Sequence, residues 1–313
     1  MVYEPNTTAF MFPGQGSQVV GMGRDLAAAY PTAKNIFAEA NEILGFDFSE
    51  IMWNDPSSSL NDTINTQPAL FIHSLAAYRV VNEIYPQKKP AFMAGHSLGQ
   101  LSALAAAGAM SFADGLLLVR KRGELMKRAG EINPGGMAAV LGLDIPKLEK
   151  VCLDASTKDA IVQVANDNSP GQVVISGHST ALERAIFGAK SAGARRAMAL
   201  TVSIAAHSPL MELIQHEWDD AVNSAGFVDT EIPVVCNTVA APLTSALALQ
   251  ADVKAQMQSR VRWTESIKWI SSQGVTTFYE LGPGTVLGGL VKRINTSAIS
   301  FPLGNPVDFK AIQ

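Results

Sequence analysis

Two rhythms of apolar residues run along this chain. Short, wholly apolar runs bounded by Gly or Pro mark buried strands, and longer segments with apolar side chains every three or four residues mark helices. Ala9 to Phe12 is the first short run, and it enters a loop at Pro13-Gly14-Gln15-Gly16. From Asp25 to Leu44, Leu26, Tyr30, Ile36, Phe37, Ala40 and Leu44 can share one helical face. Pro31 belongs in an early turn or at a break between two helices. Asn65 to Tyr85 opens on Thr-Gln-Pro and continues as a long core helix, and Pro90 closes its tail. Ala91 to Ala94 is a second brief strand, Gly95 to Gly99 a sharp turn, and Gln100 to Ala109 a helix of small residues. Another helix covers Phe112 to Ala129.

The pattern changes at Pro134-Gly135-Gly136. Strand-like runs at 137–141, 161–165, 172–176 and 196–200 alternate with helical patterns at 145–155 and 180–192, a β-α-β-β-α-β order that fits a small ferredoxin-like domain. After His207 the expectation returns to α/β. Helices fall at 209–225, 248–258 and 264–272, strands at 234–236 and 276–280, and a last helix follows Leu281-Gly282-Pro283-Gly284 through Arg293. The tail reads as a loose surface closure. The expected fold class is therefore α/β: a large α/β-hydrolase-like domain with a parallel-sheet core, 1–133 and 201–313, interrupted by a small inserted ferredoxin-like domain, 134–200.

Composition narrows the functions. The 313 residues are 47% hydrophobic, enough to bury one large core. A net charge of -4 gives no general pull toward nucleic acid, though a local basic patch could still meet an acidic partner. Leu101 to Met110, the longest small-and-apolar stretch, is too short to span a bilayer. The N-terminal MVYEPNTTAF has neither the basic start nor the apolar run of a secretory signal, so the expectation is a cytoplasmic protein without a membrane partner. Cys152 and Cys236 stand far apart and form neither a disulfide framework nor a metal-ligand cluster.

Gly95-His96-Ser97-Leu98-Gly99 matches the G-x-S-x-G nucleophile elbow, and it sits where that turn must sit, between a strand and a helix. Among five histidines, His207 is the best base because it lies at an element boundary; a structural histidine is the competing reading. His96 adjoins the serine, but neighbouring strand side chains point to opposite faces. His73 reads as packed, and His178 and His216 as a turn and a surface residue. No acidic residue between Ser97 and His207 offers itself as the third member of a hydrolase triad. Arg122 shares a basic helix with Lys121, Lys127 and Arg128 and could be either surface or site. The Gln15 loop lacks the G-x-G-x-x-G order of a dinucleotide site.

Taken in order, Phe12-Pro13-Gly14-Gln15-Gly16-Ser17-Gln18, the serine elbow, Arg120 to Gly123, Asn166 to Gly177, His207 and Glu280 to Gly284 resemble the malonyl-CoA:acyl carrier protein transacylases and the acyltransferase domains of polyketide synthases. The resemblance covers nearly the whole chain. It implies an [acyl-carrier-protein] S-malonyltransferase that moves malonyl from malonyl-CoA to the phosphopantetheine thiol of acyl carrier protein by a ping-pong acyl-serine mechanism, supplying fatty-acid synthesis. Ser97 would be the nucleophile, His207 its base, the backbone amides of Gln15 and Leu98 the oxyanion hole, and Arg122 the clamp on the malonyl carboxylate. Gln256 would orient His207 through its main-chain carbonyl. No permanently bound cofactor or metal is implied, only a CoA thioester donor and a phosphopantetheinylated acceptor, and such an enzyme can work as a monomer. Malonyltransferases of polyketide assembly or malonate decarboxylase, a carboxyacyl thioester hydrolase and a noncatalytic carrier-binding protein are the alternatives.

Three positions depart from the family pattern. Ala205-Ala206 stand where Pro-Phe is frequent, which implies a wider acyl-pocket wall and weaker rejection of methylmalonyl. Gln100 stands where glutamate is common.

Overall fold

Strand β1, Thr8–Phe12, is buried on both faces, as a central parallel strand requires. The computed structural model describes residues 5–202 and 204–311; residues 1–4 of the N-terminal stretch read above, Ser203 and the last two residues of the tail lie outside them. Pro31 divides the first helical segment as expected: α1 is Arg24–Ala29, and α2, Pro31–Leu44, begins on that proline, where a missing amide costs nothing. A short α3, Phe48–Trp53, was not legible as a separate helix; Asp47 caps it by accepting from Glu50 N.

Helix α4, Thr63–Ile84, carries Pro68 within its span. The proline has no N–H for the Ile64 carbonyl, and Arg120 Nη1 donates to that oxygen instead at 3.2 Å. Strand β2, Phe92–Gly95, leads into α5, Leu98–Ala106. Helix α6, Phe112–Ile132, starts at Ser111, whose hydroxyl accepts from Asp114 N.

Four strands follow in a separate antiparallel sheet: β3 Gly135–Leu141, β4 Val162–Ser169, β5 Gln172–His178 and β6 Arg196–Ala199, in the order β4-β5-β3-β6. Helices α7, Ile145–Ala155, and α8, Ser179–Ser191, cover one face around Leu148, Ile175 and Ala185. The chain then returns through a 3-10 turn, Pro209–Ile214, and α9, Gln215–Ser224, to β7 Val234–Val235 and β8 Pro242–Leu243. Helices α10, Ala246–Gln256, and α11, Trp263–Ser272, precede β9, Thr277–Leu281, α12, Val286–Ile294, and β10, Ile299–Leu303.

Among the described residues the large sheet has the order β10-β9-β1-β2-β7-β8, parallel except for β8. The tail is thus not a loose closure, since Ile299 to Leu303 pair along β9. The expected hydrolase-like domain with a ferredoxin-like insert is corrected as well. The chain forms two subdomains, and the second sheet is tied laterally into the first: Asp167 N donates to Val261 O at 2.9 Å and Thr264 Oγ1 to Asp167 Oδ1 at 2.6 Å. Periodicity reveals the order of elements but not which edges pair, and the hydrolase analogy rested on the elbow alone.

No described helix is long and apolar enough to cross a membrane. Trp218 on α9 is 1% exposed and its Nε1 donates to Val253 O on α10 at 3.0 Å, so it locks together two helices behind the site. Trp218→Ala is expected to cost about 3–5 kcal/mol. Denaturant unfolding measures this, and a midpoint equal to that of the parent chain would show that α9 and α10 do not depend on this side chain.

Candidate active site

The C-terminal ends of β1 and β2 open onto the second sheet, and Ser97 stands at that junction. Its backbone has φ 52° and ψ -108°, a conformation that costs a non-glycine residue about 1–3 kcal/mol. Glycine is required on both flanks. A Cβ on Gly95 would lie 1.9 Å from Gly99 O, and one on Gly99 would lie 2.0 Å from Phe12 O, so the turn closes only where these side chains are missing.

Ser97 Oγ is 2.8 Å from His207 Nε2, and His207 Nδ1 is 2.8 Å from the Gln256 carbonyl oxygen. A carbonyl can only accept, so Nδ1 carries the proton and Nε2 presents its lone pair to the serine hydroxyl. His207 is itself held at φ 58°, with its N–H donating to Met257 O at 3.0 Å. Burial first, and then the Arg122 charge, push His207 down to about 3, against the opposing pull of the Gln256 carbonyl. The imidazole is therefore neutral across the physiological range.

Arg122 is 2% exposed and turned inward from α6, unlike Lys121 and Arg128 on the same helix, which pair with Glu217 at the surface. Its Nη1 donates to Gln67 Oε1 at 2.9 Å; Nη2 donates to Gln256 Oε1 at 3.0 Å and to Ser97 Oγ at 3.2 Å. Its Nε has no partner among the described residues, and burial lowers the guanidinium to about 10.

Ser97, His207 and Arg122 line one cavity of about 270 Å³ between the two subdomains, together with Gln15, Leu98 and Ala206. The amides of Gln15 and Leu98 donate to no group among the described residues, while the Gln15 side chain is anchored on Thr63 Oγ1 at 3.2 Å. Ala206 faces the cavity, but Ala205 turns into the core, where a Cβ on Gly135 would meet it at 2.8 Å. The expectation that both alanines form the wall is corrected to Ala206 alone, because consecutive residues there point opposite ways. Ile204 and Met126, neither singled out from sequence, share the wall.

His96 does not reach the serine. Its Nε2 bonds Asn168 Oδ1 at 2.7 Å and its ring meets the Trp263 ring edge-on, joining the two subdomains, and burial lowers its pKa. Sequence reasoning also missed Gln67 and Asn237. Asn237 follows the apolar run Val234-Val235-Cys236, and a polar residue just past the carboxyl end of a parallel strand is the signal that could have marked it.

The Acyl transferase domain family matches residues 9–299. The malonyl CoA-acyl carrier protein transacylase of Salmonella typhimurium is 43% identical over 303 residues, which span 97% of each chain. This chain belongs to the malonyl-CoA:acyl carrier protein transacylase family. Its relative from Staphylococcus aureus is 42% identical over 288 residues, 92% of both chains. Among solved members, the acyl carrier protein S-malonyltransferase of Vibrio cholerae superposes with a TM-score of 0.94 at 40% identity, covering 98% of this chain and 100% of its own. The transacylase of Coxiella burnetii gives 0.95 at 36% identity, covering 100% and 98%. Both subdomains fall within these matches, which is the finding that replaces the hydrolase analogy.

The buried histidines imply acid sensitivity. Burial holds His73 at about 4 and His207 at about 3, both below the ordinary histidine value of about 6.5. Between those values the unfolded chain binds protons that the native chain refuses, so this stabilisation is complete above about pH 6.5 and is lost as pH falls toward 4 and then 3. Thermal midpoints measured from pH 7 down to pH 4 should decline, and His73→Gln should make the decline shallower. Identical slopes for the two proteins would exclude His73 as a source.

Proposed function

We propose that this chain transfers malonyl from malonyl-CoA to the phosphopantetheine thiol of acyl carrier protein through an ester on Ser97. The observation that carries the reading is the buried Arg122 guanidinium 3.2 Å from Ser97 Oγ at the cavity wall, a cation placed to hold a carboxylate one short acyl chain away from the nucleophile. His207 takes the Ser97 proton as Oγ attacks the thioester carbonyl, and the Gln15 and Leu98 amides stabilise the oxyanion. Collapse of the tetrahedral intermediate breaks the C–S bond, and His207 protonates the departing CoA thiolate. In the second half-reaction His207 deprotonates the carrier thiol, which attacks the ester and regenerates Ser97.

A neutral carbonyl behind His207 suits this substrate. A carboxylate there would repel the malonyl group and pair with Arg122 in its place. When malonyl binds, its carboxylate offsets the Arg122 charge that depresses His207, so the correct substrate makes the base stronger. Two buried free cysteines fit a reducing compartment, in keeping with a cytoplasmic enzyme.

Intact mass after brief mixing with malonyl-CoA should show one malonyl adduct, missing in Ser97→Ala, that moves to holo acyl carrier protein when that is added. Loss of the adduct at the same rate without carrier would make the protein a thioesterase, and no adduct on the parent chain would end the acyl-serine reading. Arg122→Ala should lower kcat/KM for malonyl-CoA by roughly a hundredfold or more and cost acetyl-CoA far less, since only the malonyl donor has a carboxylate for the guanidinium to hold. Equal losses with both donors would assign Arg122 a structural role.

A further inference from the structure

Beneath Ser97 lies a buried chain of amides that ends in a carboxylate and lines no part of the cavity. The Asn237 side chain grips both flanks of the elbow: Oδ1 accepts from Ser97 N at 2.8 Å, and Nδ2 donates to Gly95 O at 2.8 Å. Asn237 is in turn held by Gln100. Gln100 Oε1 accepts from Asn237 N at 2.7 Å, and Gln100 Nε2 donates to Asp252 Oδ2 at 2.7 Å. The second Asp252 oxygen accepts from Thr238 N at 3.2 Å and from the Thr238 hydroxyl. Gln100 is 0% exposed and Asp252 4%.

A buried carboxylate that meets only neutral donors is a poor device for stability, because desolvation works against it. Its chemistry instead dictates orientation. A carboxylate only accepts, so the Gln100 amide must turn its NH2 toward Asp252 and its oxygen toward Asn237 N–H. This also accounts for glutamine at position 100, since a glutamate there would face Asp252 carboxylate to carboxylate. Asp252 further lies one helical turn before Gln256 on α10, the residue whose carbonyl aims His207 and whose side chain holds Arg122. Gln256 Nε2 closes the loop by donating to Ser97 O at 3.1 Å and to Asn237 Oδ1 at 3.2 Å.

We propose that Gln100 and Asp252 are positioning residues for acyl transfer: through Asn237 they hold the strained Ser97 backbone in register with His207 and with the Leu98 amide. The proposal rests on Ser97 being the acylated residue. Neither residue touches substrate; they act on the angle and distance of the groups that do.

Gln100→Glu, Asp252→Asn and the double variant test this. Each single change sets two acceptors or two donors against each other. The double variant re-forms every hydrogen bond, because the introduced carboxylate accepts from Asn237 N and from the introduced amide, whose oxygen still accepts from Thr238. Both single variants should slow Ser97 acylation in single turnover by roughly ten- to a hundredfold with KM for malonyl-CoA unchanged, and the double variant should recover most of the rate.

A pH profile separates positioning from general structural damage. In Gln100→Glu the rate should rise as pH is lowered from about 8 to about 6, because one of the paired carboxylates takes a proton and becomes a donor. The parent chain should stay flat there, with His207 held down to about 3. A double variant no faster than the single ones, or losses confined to KM, would overturn the proposal. Ser97→Ala run alongside keeps the premise separate: an adduct surviving in that variant would overturn the nucleophile assignment, whereas loss of the adduct with an unrescued double variant would overturn the positioning role alone.

Discussion

A guanidinium buried to 2% exposure, with neutral oxygens from Gln67, Gln256 and Ser97 around it, sets the terms for every other group in this site. An isolated buried cation is expensive, and the structure meets that with hydrogen bonds instead of a counter-charge. The choice has consequences. A carboxylate beside Arg122 would neutralise it and occupy the place of a carboxylated substrate, so the partner of His207 is a main-chain carbonyl. Burial first, and the Arg122 charge second, keep His207 neutral, which leaves its Nε2 lone pair facing the serine hydroxyl. In the proposed mechanism the charge that would hold the carboxylate thus also bears on the base, on top of the larger effect of burial.

The cavity exists only because two sheets meet. The large parallel sheet supplies the elbow at the carboxyl end of β2 and the Gln15 loop at the end of β1, while the antiparallel sheet contributes Asn166, Asn168 and Gln172 to the opposite wall. Bonds such as His96 to Asn168 and Asp167 to Val261 run across the junction and fix the distance between the walls. Two of the described non-glycine residues with positive φ, Ser97 and His207, stand in the same place, and a dense set of buried amides offsets their strain. Rigidity around the nucleophile therefore comes from neighbours several elements away in sequence.

Periodicity and local chemistry determined a good deal on their own. The strand at Ala9 to Phe12, the break at Pro31, the long helix before Tyr85 and the alternation of elements between 135 and 199 all follow from side-chain spacing and from Gly and Pro placement. The Gly95 to Gly99 turn was legible because a reactive serine between a strand and a helix leaves no space for side chains. Family motifs then pointed to His207, Arg122 and the Gln256 carbonyl. Other features were not settled locally: Ile299 to Leu303 carries Ser and Pro and becomes a strand only because β9 offers it an edge, Ala205 and Ala206 differ only in the direction they face, and the hydrogen bonds that join Asn237, Gln100 and Asp252 have no signature in the sequence until folding brings the three together. Sequence spacing encodes which face of an element is apolar, whereas the pairing of strand edges, the direction of a buried arginine and the closing of a hydrogen-bond network depend on distances between segments, and those are decided by tertiary packing.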